Sequence, residues 1–591
     1  MATTSATKAG SVRSPAPGLD IFRTPENATF YSANLYQTLD KSNQEIRLIE
    51  LSTQTGSDGI LECKLLPAVL LADTRKQYLA LSYCAGDPTD KKEIKVNGVP
   101  CNVFENLHHA LVLARRYWIQ SPEQGPLRLW IDQLCINQQD LSERSHQVGF
   151  MREIYQSAER TLACLSSREA SGEGLKWLNG LCDAMSFEED YRPFQSSSEY
   201  GFANEGSDGS EEIPFEKDGL FETESDRLSS YRLEWTFVRD YLWDNIHNVR
   251  FVNGWIEFYD VLRSQWWNRA WICQEFLVSS YVTFMFGNYF VSWGQCWRVI
   301  LGFCGIHKHD LMKRERFLEF TKHTRGCLGD IQLCRILNNV NKKDLGQIEH
   351  VRTALEMKLR WRGGLDIKAL LSHSRSCRSS DDRDRVYAML GLASQGYQIF
   401  PDYSRDMTAA KVMIITTKAI IDKEDSLNIL MKAATLVQFR DPNFPSWVVD
   451  WTSTEALDVE GNSFNLFRGL SWVSHESPQH AFETITSEFE QTQIHILRIY
   501  GTFITKIESK RTAKWPLANF WGCRCWEGSA LVSIADGDEV WTLHGLRVPM
   551  VLRPFLNGYK VISCAFFDEQ SSSPFNTVVF PEQIRARLIL Y

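Results

Sequence analysis

Long apolar segments are missing from this chain of 591 residues. No run of about 18 or more apolar residues occurs, and a helix needs roughly that length to cross a bilayer. The N-terminal stretch MATTSATKAGSVRSPAPG also lacks the apolar core of a secretory signal peptide. We therefore expect a cytoplasmic protein that neither spans a membrane nor is secreted by the standard route.

The chain also has no excess of basic side chains. Lys and Arg total 64 against 73 Asp and Glu, which gives a net charge of -9. Proteins that bind the phosphate backbone of nucleic acids usually carry a basic surface, and this balance does not predict one. We therefore expect no nucleic-acid partner. The phosphate-binding pattern GxxxxGK followed by Ser or Thr is also absent, so any clustering of chains must use other parts of the protein.

Cysteines spaced as metal ligands are missing, although the chain has 15 cysteines. Cys523 and Cys525 are the one close pair, but their spacing differs from CxxC and nothing nearby completes a zinc site. Others, such as Cys63, Cys84 and Cys164, lie in apolar runs typical of strands and helices. We therefore predict reduced cysteines in packed cores, no metal and no bound cofactor.

Apolar sequence is abundant enough for several cores. The chain is 43% hydrophobic and 12% aromatic, which is more than disordered chains contain. At roughly 100 to 200 residues per domain, its length predicts about three or four units. Pattern and composition divide it into a flexible N-terminal arm, a first domain, a mainly helical region and a small β-rich module, at residues 1–40, 41–305, 306–480 and 481–591.

Strand-like and helix-like runs alternate in the first domain. YLALSY, LRLWID and TLACL have the pattern of strands, and amphipathic helical runs lie between them. The order strand, helix, strand, helix, strand predicts an α/β fold with a parallel sheet and crossover helices. Residues 186–227 interrupt this order with acidic, Ser and Gly clusters, which predict a solvated and partly disordered insertion.

Four sequence blocks of the first domain carry a family resemblance. They are LALSYCAG from Leu79, NGVPCNVFENLHHAL from Asn97, LWIDQLCINQ from Leu129 and NRAWICQE from Asn268. In this order they make the chain resemble the heterokaryon incompatibility (HET) family of fungal proteins. DDRDRVYAMLGLAS, PDYS, FPSWVVDW and DGDEVWTLHGLRVPMVLR extend the resemblance downstream. The resemblance implies non-self recognition and programmed cell death, with other protein chains as partners and with self-association.

HET domains are similar in fold to TIR domains, so the resemblance also implies a TIR-like sheet and a candidate active site. In enzymatic TIR domains, a glutamate downstream of a tryptophan-cysteine pair is catalytic for NAD hydrolysis. The matching residue in NRAWICQE is Glu275. A dinucleotide site around it needs a turn of small residues and aromatic faces, and we expect Ser82, Gly86, Tyr83 and either Trp271 or Trp267 to supply them. Asp132, at a strand end, is the fifth residue predicted for this site.

Cleavage of the nicotinamide-ribose bond suits a single carboxylate. The leaving group departs as a neutral base from a cationic ring, so it needs no general acid. One ionised glutamate can then stabilise the oxocarbenium-like sugar by charge or by transient attack. A turn of small residues can offer N–H groups to the phosphates, and aromatic faces can stack on the bases. NAD is therefore predicted as a substrate and not as a resident cofactor.

The same residues could also have purely structural roles. Glu275 could be a helix-surface carboxylate that pairs with Arg269. Trp267 and Trp271 could pack in the core, and Asp132 could accept hydrogen bonds from loop amides and so shape the cleft.

One position departs from the family pattern. HET proteins usually have SYxWG in the first block, whereas this chain has Ala85 in place of the tryptophan. The missing aromatic face motivates a second hypothesis, in which the domain is a non-catalytic recognition or signalling module with a degenerate cleft.

Overall fold

The structure is a computed structural model, and its contacts divide the chain into two compact units, residues 1–363 and 364–591. Of the described residues, no helix is both long and apolar enough to cross a membrane. The structure describes residues 21–54, 59–122, 125–166, 170–185, 238–306, 332, 335–336, 342–394, 396–434, 444–452, 479–486, 493–512, 517–522, 526–531, 533–546, 548–567 and 585–591.

The N-terminal segment is packed from residue 21 onward. We predicted a flexible arm over residues 1–40, yet its second half contains short 3-10 turns and helix α1 (Ala28–Ser32), with Phe30 buried. The Asn27 side chain explains this order, because its Nδ2 donates to the carbonyl of Asn102 at 2.9 Å and its Oδ1 accepts from the amide of Asn102 at 2.7 Å. These bonds satisfy the outer edge of a strand that water would otherwise contact.

Nine strands of the described first unit form one sheet, and two more form a separate antiparallel pair, β1 with β4. The strands are β1 (Glu45–Ile46), β2 (Ile49–Leu51), β3 (Leu61–Leu65), β4 (Val69–Leu70), β5 (Leu79–Ser82), β6 (Lys91–Val96), β7 (Val99–Phe104), β8 (Leu127–Trp130), β9 (Arg160–Cys164), β10 (Val282–Phe286) and β11 (Tyr289–Ser292).

Four central strands are parallel, in the spatial order β8, β5, β9, β10. Numbered along the chain from β5, this order is 2-1-3-4, which is a doubly wound arrangement with a topological switch point between β5 and β9. The predicted parallel sheet with crossover helices is therefore present in the centre of the fold.

The sheet is mixed outside those four strands, which the sequence did not predict. β2 is antiparallel to β8 and to β3, β6 is parallel to β3, and β7 and β11 are antiparallel to β6 and β10. β11 follows β10 through a tight turn that contains Gly287, whose φ is +58°. Short hairpins of this kind give antiparallel pairs, because a two-residue connection cannot reach a parallel partner.

Helices cover the connections between the parallel strands. The residues before β9 form two helices instead of one, because the backbone breaks at Phe150 (φ -127°, ψ 26°). The predicted acidic insertion at 186–227 lies outside the described residues. The helices of the first unit are α2 (Glu105–Gln120), α3 (Asp132–Cys135), α4 (Leu141–Gly149), α5 (Met151–Ser157), α6 (Glu173–Ala184), a segment at 238–244, α7 (Val249–Leu262), α8 (Ile272–Leu277), α9 (Trp293–Ile306) and α10 (Lys342–Arg360).

A buried ion pair holds the segment that follows β8. Arg47 bonds both oxygens of Glu143 at 2.7 and 3.1 Å, and the two side chains are 2% and 7% exposed. The amide of Asn137 also donates to Glu143, and Arg47 donates to the carbonyl of Cys135. The sequence CINQ is therefore fixed by charge-assisted bonds from two sides.

The second unit has helices followed by strands, in agreement with the coarse sequence reading. Six of its strands pair in a closed ring, β13-β14-β15-β18-β17-β16 and back to β13. Its elements are α11 (Ile367–Ser374), α12 (Asp384–Leu390), α13 (Ala409–Glu424), α14 (Ile429–Ala434), β12 (Ala481–Thr486), β13 (Gln493–Thr512), β14 (Leu517–Gly522), β15 (Trp526–Leu531), β16 (Glu539–Leu543), β17 (Met550–Phe555), β18 (Gly558–Phe567) and β19 (Arg585–Leu590).

The downstream motif DDRDR has a structural role in this unit. Arg383 bonds Asp381 at 2.8 Å and also donates to the carbonyls of Ser404 and Met407, both at 3.0 Å. The hydroxyl of Tyr403 donates to the buried Asp384. The motif PDYS is thus tied to α12 by its own backbone carbonyls and one phenol.

Removing the cation of the buried ion pair tests its importance. We expect Arg47→Met to lower the free energy of unfolding of the first unit by about 3–5 kcal/mol, because Glu143 then stays buried without its partner. Lys176→Met, which removes a cation from an exposed pair with Glu173 at 3.2 Å, should change it by less than about 1 kcal/mol. Urea titrations of both variants measure this, and equal effects would contradict a special role for Arg47.

Candidate functional site

The candidate site lies at the carboxyl end of the central parallel strands. β5 ends at Ser82, whose side chain is buried, and the chain then enters the loop of the first sequence block. In open α/β sheets, ligands bind outside the carboxyl ends of the strands beside the switch point. The switch point here is between β5 and β9, so Ser82 occupies that position.

Glu275 reaches this strand end from a distant part of the sequence. It lies in the first turn of α8 and is 2% exposed. The Ser82 hydroxyl donates to Glu275 Oε2, and the same hydroxyl accepts a hydrogen bond from Trp266 Nε1 at 2.6 Å. The fold therefore brings together two of the predicted site residues, Ser82 and Glu275.

Arg269 neutralises the buried acid with two parallel bonds. Its Nη1 lies 3.1 Å from Glu275 Oε2, and its Nη2 lies 3.2 Å from Oε1. Burial raises the pKa of Glu275, whereas the charge of Arg269 and the hydrogen bond from Ser82 act to lower it. For Arg269, burial opposes the charge, but the Glu275 carboxylate holds the guanidinium pKa above its usual value. The pairing of Glu275 with Arg269, which the sequence left open, is therefore present.

Tyr83 and Asp132 form a second polar group beside Ser82, Arg269 and Glu275. The Tyr83 hydroxyl lies 3.2 Å from Asp132 Oδ1 and 3.3 Å from Gln133 Oε1. Burial, followed by the Asp132 charge, raises the pKa of Tyr83. Asp132 Oδ1 also accepts from the amide of Gln133 at 2.7 Å, as its structural interpretation expects. Asp132 is partly exposed, whereas Tyr83 is buried.

Position 86 requires a glycine, because a side chain there would be strained and would clash. Its φ is +85°, and a Cβ there would lie 2.6 Å from Asn106 Nδ2. The glycine is exposed, four residues beyond Ser82, and it lets the loop turn against the start of α2.

The tryptophans divide between core and site. Trp267 is buried, donates to the carbonyl of Val261 at 3.0 Å and packs edge-on against Trp266, with 4.9 Å between the ring centroids. It is a core residue. Trp271 is partly exposed just before α8, and its carbonyl accepts from the amide of Glu275.

Sequence reasoning missed two aromatic residues of the site. One is Trp266, which orients the Ser82 hydroxyl, and the other is Tyr155 of α5, whose pKa is raised by burial and then by the charge of Glu275. SQWWNRAW did show several tryptophans close together. Which of them faces Ser82 depends on the 3-10 turn Gln265–Asn268, and a short apolar run does not reveal such a turn.

The described cluster is better suited to an anionic ligand than to a metal ion. Its acids already accept bonds from Arg269, Ser82, Tyr83 and a backbone amide. A guanidinium with planar, paired donors can bind phosphate oxygens in the same bidentate way as a carboxylate. Arg269 is 17% exposed, so it is the charged member that solvent reaches more readily than Glu275.

Comparison with known proteins places this cluster inside a matched segment. Residues 78–275 match the family model described as heterokaryon incompatibility protein (HET). The chain is 25% identical over 451 residues to heterokaryon incompatibility protein 6, OR allele, of Neurospora crassa. That alignment covers 72% of this chain and 60% of the relative, so the chain spans less than two thirds of the relative's length. No solved structure matches.

Thiol labelling tests the local environment of the site loop. The cysteines among the described residues form no disulfide, and all except Cys84 are buried. Burial raises the pKa of Cys164 on β9 to about 12, so its thiolate is scarce at pH 8. We expect iodoacetamide to label Cys84 about a hundredfold faster than Cys164 in the native protein.

Peptide mass spectrometry over a labelling time course measures the two rates, and denatured protein supplies the control, in which the rates should converge. Similar rates for the two thiols in the native protein would contradict the described exposure of the site loop.

Proposed function

Because residues 78–275 match the HET family model, we propose that the chain is an effector of non-self recognition that triggers cell death. The similarity to a heterokaryon incompatibility protein of Neurospora crassa supports this role. We further propose that its HET domain acts by hydrolysing NAD, with Glu275 as the catalytic carboxylate. Non-self proteins and further copies of the chain are the proposed partners.

The observation that carries the enzymatic proposal is the contact between Ser82 and Glu275. These residues lie 193 positions apart, yet the fold joins them at the carboxyl end of a central strand, beside the switch point. The order 2-1-3-4 of the parallel strands supports the TIR-like arrangement that the resemblance implies. Ligands of open α/β sheets bind at this place, which supports a role for the carboxylate in binding or cleaving a dinucleotide.

The proposed reaction breaks the bond between ribose and nicotinamide. The electron pair of that bond goes to the nicotinamide nitrogen, which leaves as a neutral base. Glu275 stabilises the positive charge that develops on the ribose. Water then forms the new bond to the same carbon, loses a proton to solvent, and ADP-ribose is released.

Substrate must displace Arg269 for this to happen, because both oxygens of Glu275 are already bonded. We propose that the pyrophosphate of NAD takes the guanidinium in the same bidentate geometry. The cationic nicotinamide ring then replaces the positive charge beside Glu275. Arg269 would act as a substrate-binding residue, and the Glu275 carboxylate would exchange the guanidinium for the cationic nicotinamide ring as its partner.

Replacing the acid tests the enzymatic proposal. Glu275→Gln keeps the shape but removes the charge, so we expect nicotinamide release to fall by about a hundredfold or more. Glu257→Gln makes the same chemical change at an exposed position of α7 and should leave turnover unchanged. Chromatography of nicotinamide, at increasing protein concentration, measures the rates. Equal turnover in wild type and Glu275→Gln would rule out the assignment.

A non-catalytic recognition module is the second candidate function. Two observations favour it, namely the burial of Glu275 with both oxygens engaged and the alanine at position 85 where the family usually has tryptophan. In that case the HET domain and the β-rich region would bind another protein without consuming NAD.

Restoring the aromatic residue separates the two candidates. If the natural cleft is active, Ala85→Trp should change the rate of NAD loss by less than about tenfold, because position 85 then contributes stacking only. Ala85→Leu provides a control for added bulk. An inactive wild type together with an active Ala85→Trp variant would show that the cleft is degenerate and would favour the recognition module.

A further inference from the structure

We propose that Lys358, on α10, is a positioning residue that keeps the helix carrying Glu275 at the place where Glu275 contacts Ser82. Its effect on catalysis rests on the proposed function, whereas its effect on the helix does not. Lys358 lies beyond residue 275, where the match to the family ends.

Lys358 closes the C-terminal end of α8. Its Nζ donates to the carbonyl of Phe276 at 2.6 Å and to that of Ser279 at 2.9 Å, and it lies 3.5 Å from the carbonyl of Leu277. The last carbonyls of any helix have no partner within the helix, and a cation there also interacts favourably with the helix dipole. A helix of only six residues has little stability of its own, so it depends on such contacts.

Ser279 connects Lys358 to Glu275, because its carbonyl accepts from the lysine and its hydroxyl bonds the backbone of Glu275. The Ser279 hydroxyl donates to the backbone carbonyl of Glu275 at 2.7 Å and lies 2.6 Å from the hydroxyl of Thr161 on β9. The backbone of Glu275 is therefore tied to the central sheet, and Lys358 ties that connection to α10. Movement at the end of α8 would shift the carboxylate relative to Ser82.

Helix α10 holds two further segments around the site in the same manner. His350 Nε2 lies 2.9 Å from the carbonyl of Trp267, next to the tryptophan that orients Ser82. Gln347 donates to the carbonyl of Leu262 at the end of α7 at 3.1 Å. Three side chains of one helix thus bind the ends of three consecutive segments, so the site depends on sequence outside the matched domain.

The interactions found at the lysine nitrogen involve neutral groups. Besides the carbonyls, the Phe276 ring lies beneath it, with 4.8 Å between Nζ and the ring centroid. Burial lowers the pKa of Lys358 to about 7. A methionine at this position would keep most of the side-chain volume but would leave the carbonyls without this donor.

Hydrogen exchange in the full chain tests the positioning role. We expect Lys358→Met to increase exchange of the amides in residues 272–279 by about tenfold or more, and Lys358→Arg to restore protection because arginine keeps donors at that place. Arg360→Met, which removes an exposed cation from the same helix, should leave these amides unchanged. Equal exchange in Lys358→Met and wild type would overturn the proposal.

Turnover supplies the second measurement. We expect Lys358→Met to lower kcat for NAD by about tenfold or more with KM changed less than twofold, since a displaced carboxylate affects the reaction more than substrate binding. A lower kcat without faster exchange would overturn the positioning role. An inactive wild type would defeat the hydrolase proposal alone, because the exchange result stands independently. If Lys358→Met does not fold, Lys358→Gln is measured against the same criteria.

Discussion

The burial of one carboxylate is the constraint on which the site depends. An unpaired charge at the position of Glu275 would cost several kcal/mol, so the fold must provide compensation from its immediate surroundings. Arg269 contributes the opposite charge, and Ser82 contributes a hydroxyl that Trp266 orients. These contacts join the end of β5, a 3-10 turn and α8. The carboxyl end of the central strands is therefore held together by electrostatic contacts as well as by apolar packing.

Under the proposed function, the same contacts would set stability against activity. They make the burial of Glu275 tolerable, but they also occupy both oxygens that a reaction would use. Functional sites often contain groups that lower the stability of the fold and are retained because the function requires them. In the proposed mechanism the substrate resolves this conflict, because pyrophosphate and the nicotinamide ring offer the charges that Arg269 and Glu275 require. In the same proposal, the contacts of helix α10 would limit how far α8 can move while this exchange takes place.

Sequence patterns predicted the central part of the fold but not its edges. The runs YLALSY, LRLWID and TLACL became β5, β8 and β9, since continuous apolar strands separated by helical runs favour parallel pairing. The antiparallel pairing of β2 and β3 could not be predicted from the hydrophobic pattern, because an alternating run does not indicate which strand it pairs with. The arm was judged by its composition, yet Asn27 anchors it through backbone bonds that composition cannot show.

By itself, the sequence determined the resemblance of residues 78–275 to the HET family, the α/β alternation of the first domain, the glycine that the site loop requires at position 86, and the short list of residues that contains Glu275. Tertiary structure alone decided that Glu275 is buried, that Arg269 pairs with it, that Trp266 and not Trp267 contacts Ser82, and that Lys358 closes α8. The physical reason is that local patterns encode periodicity and backbone preference. Which side chains meet across 193 residues depends on packing and on the satisfaction of buried charge.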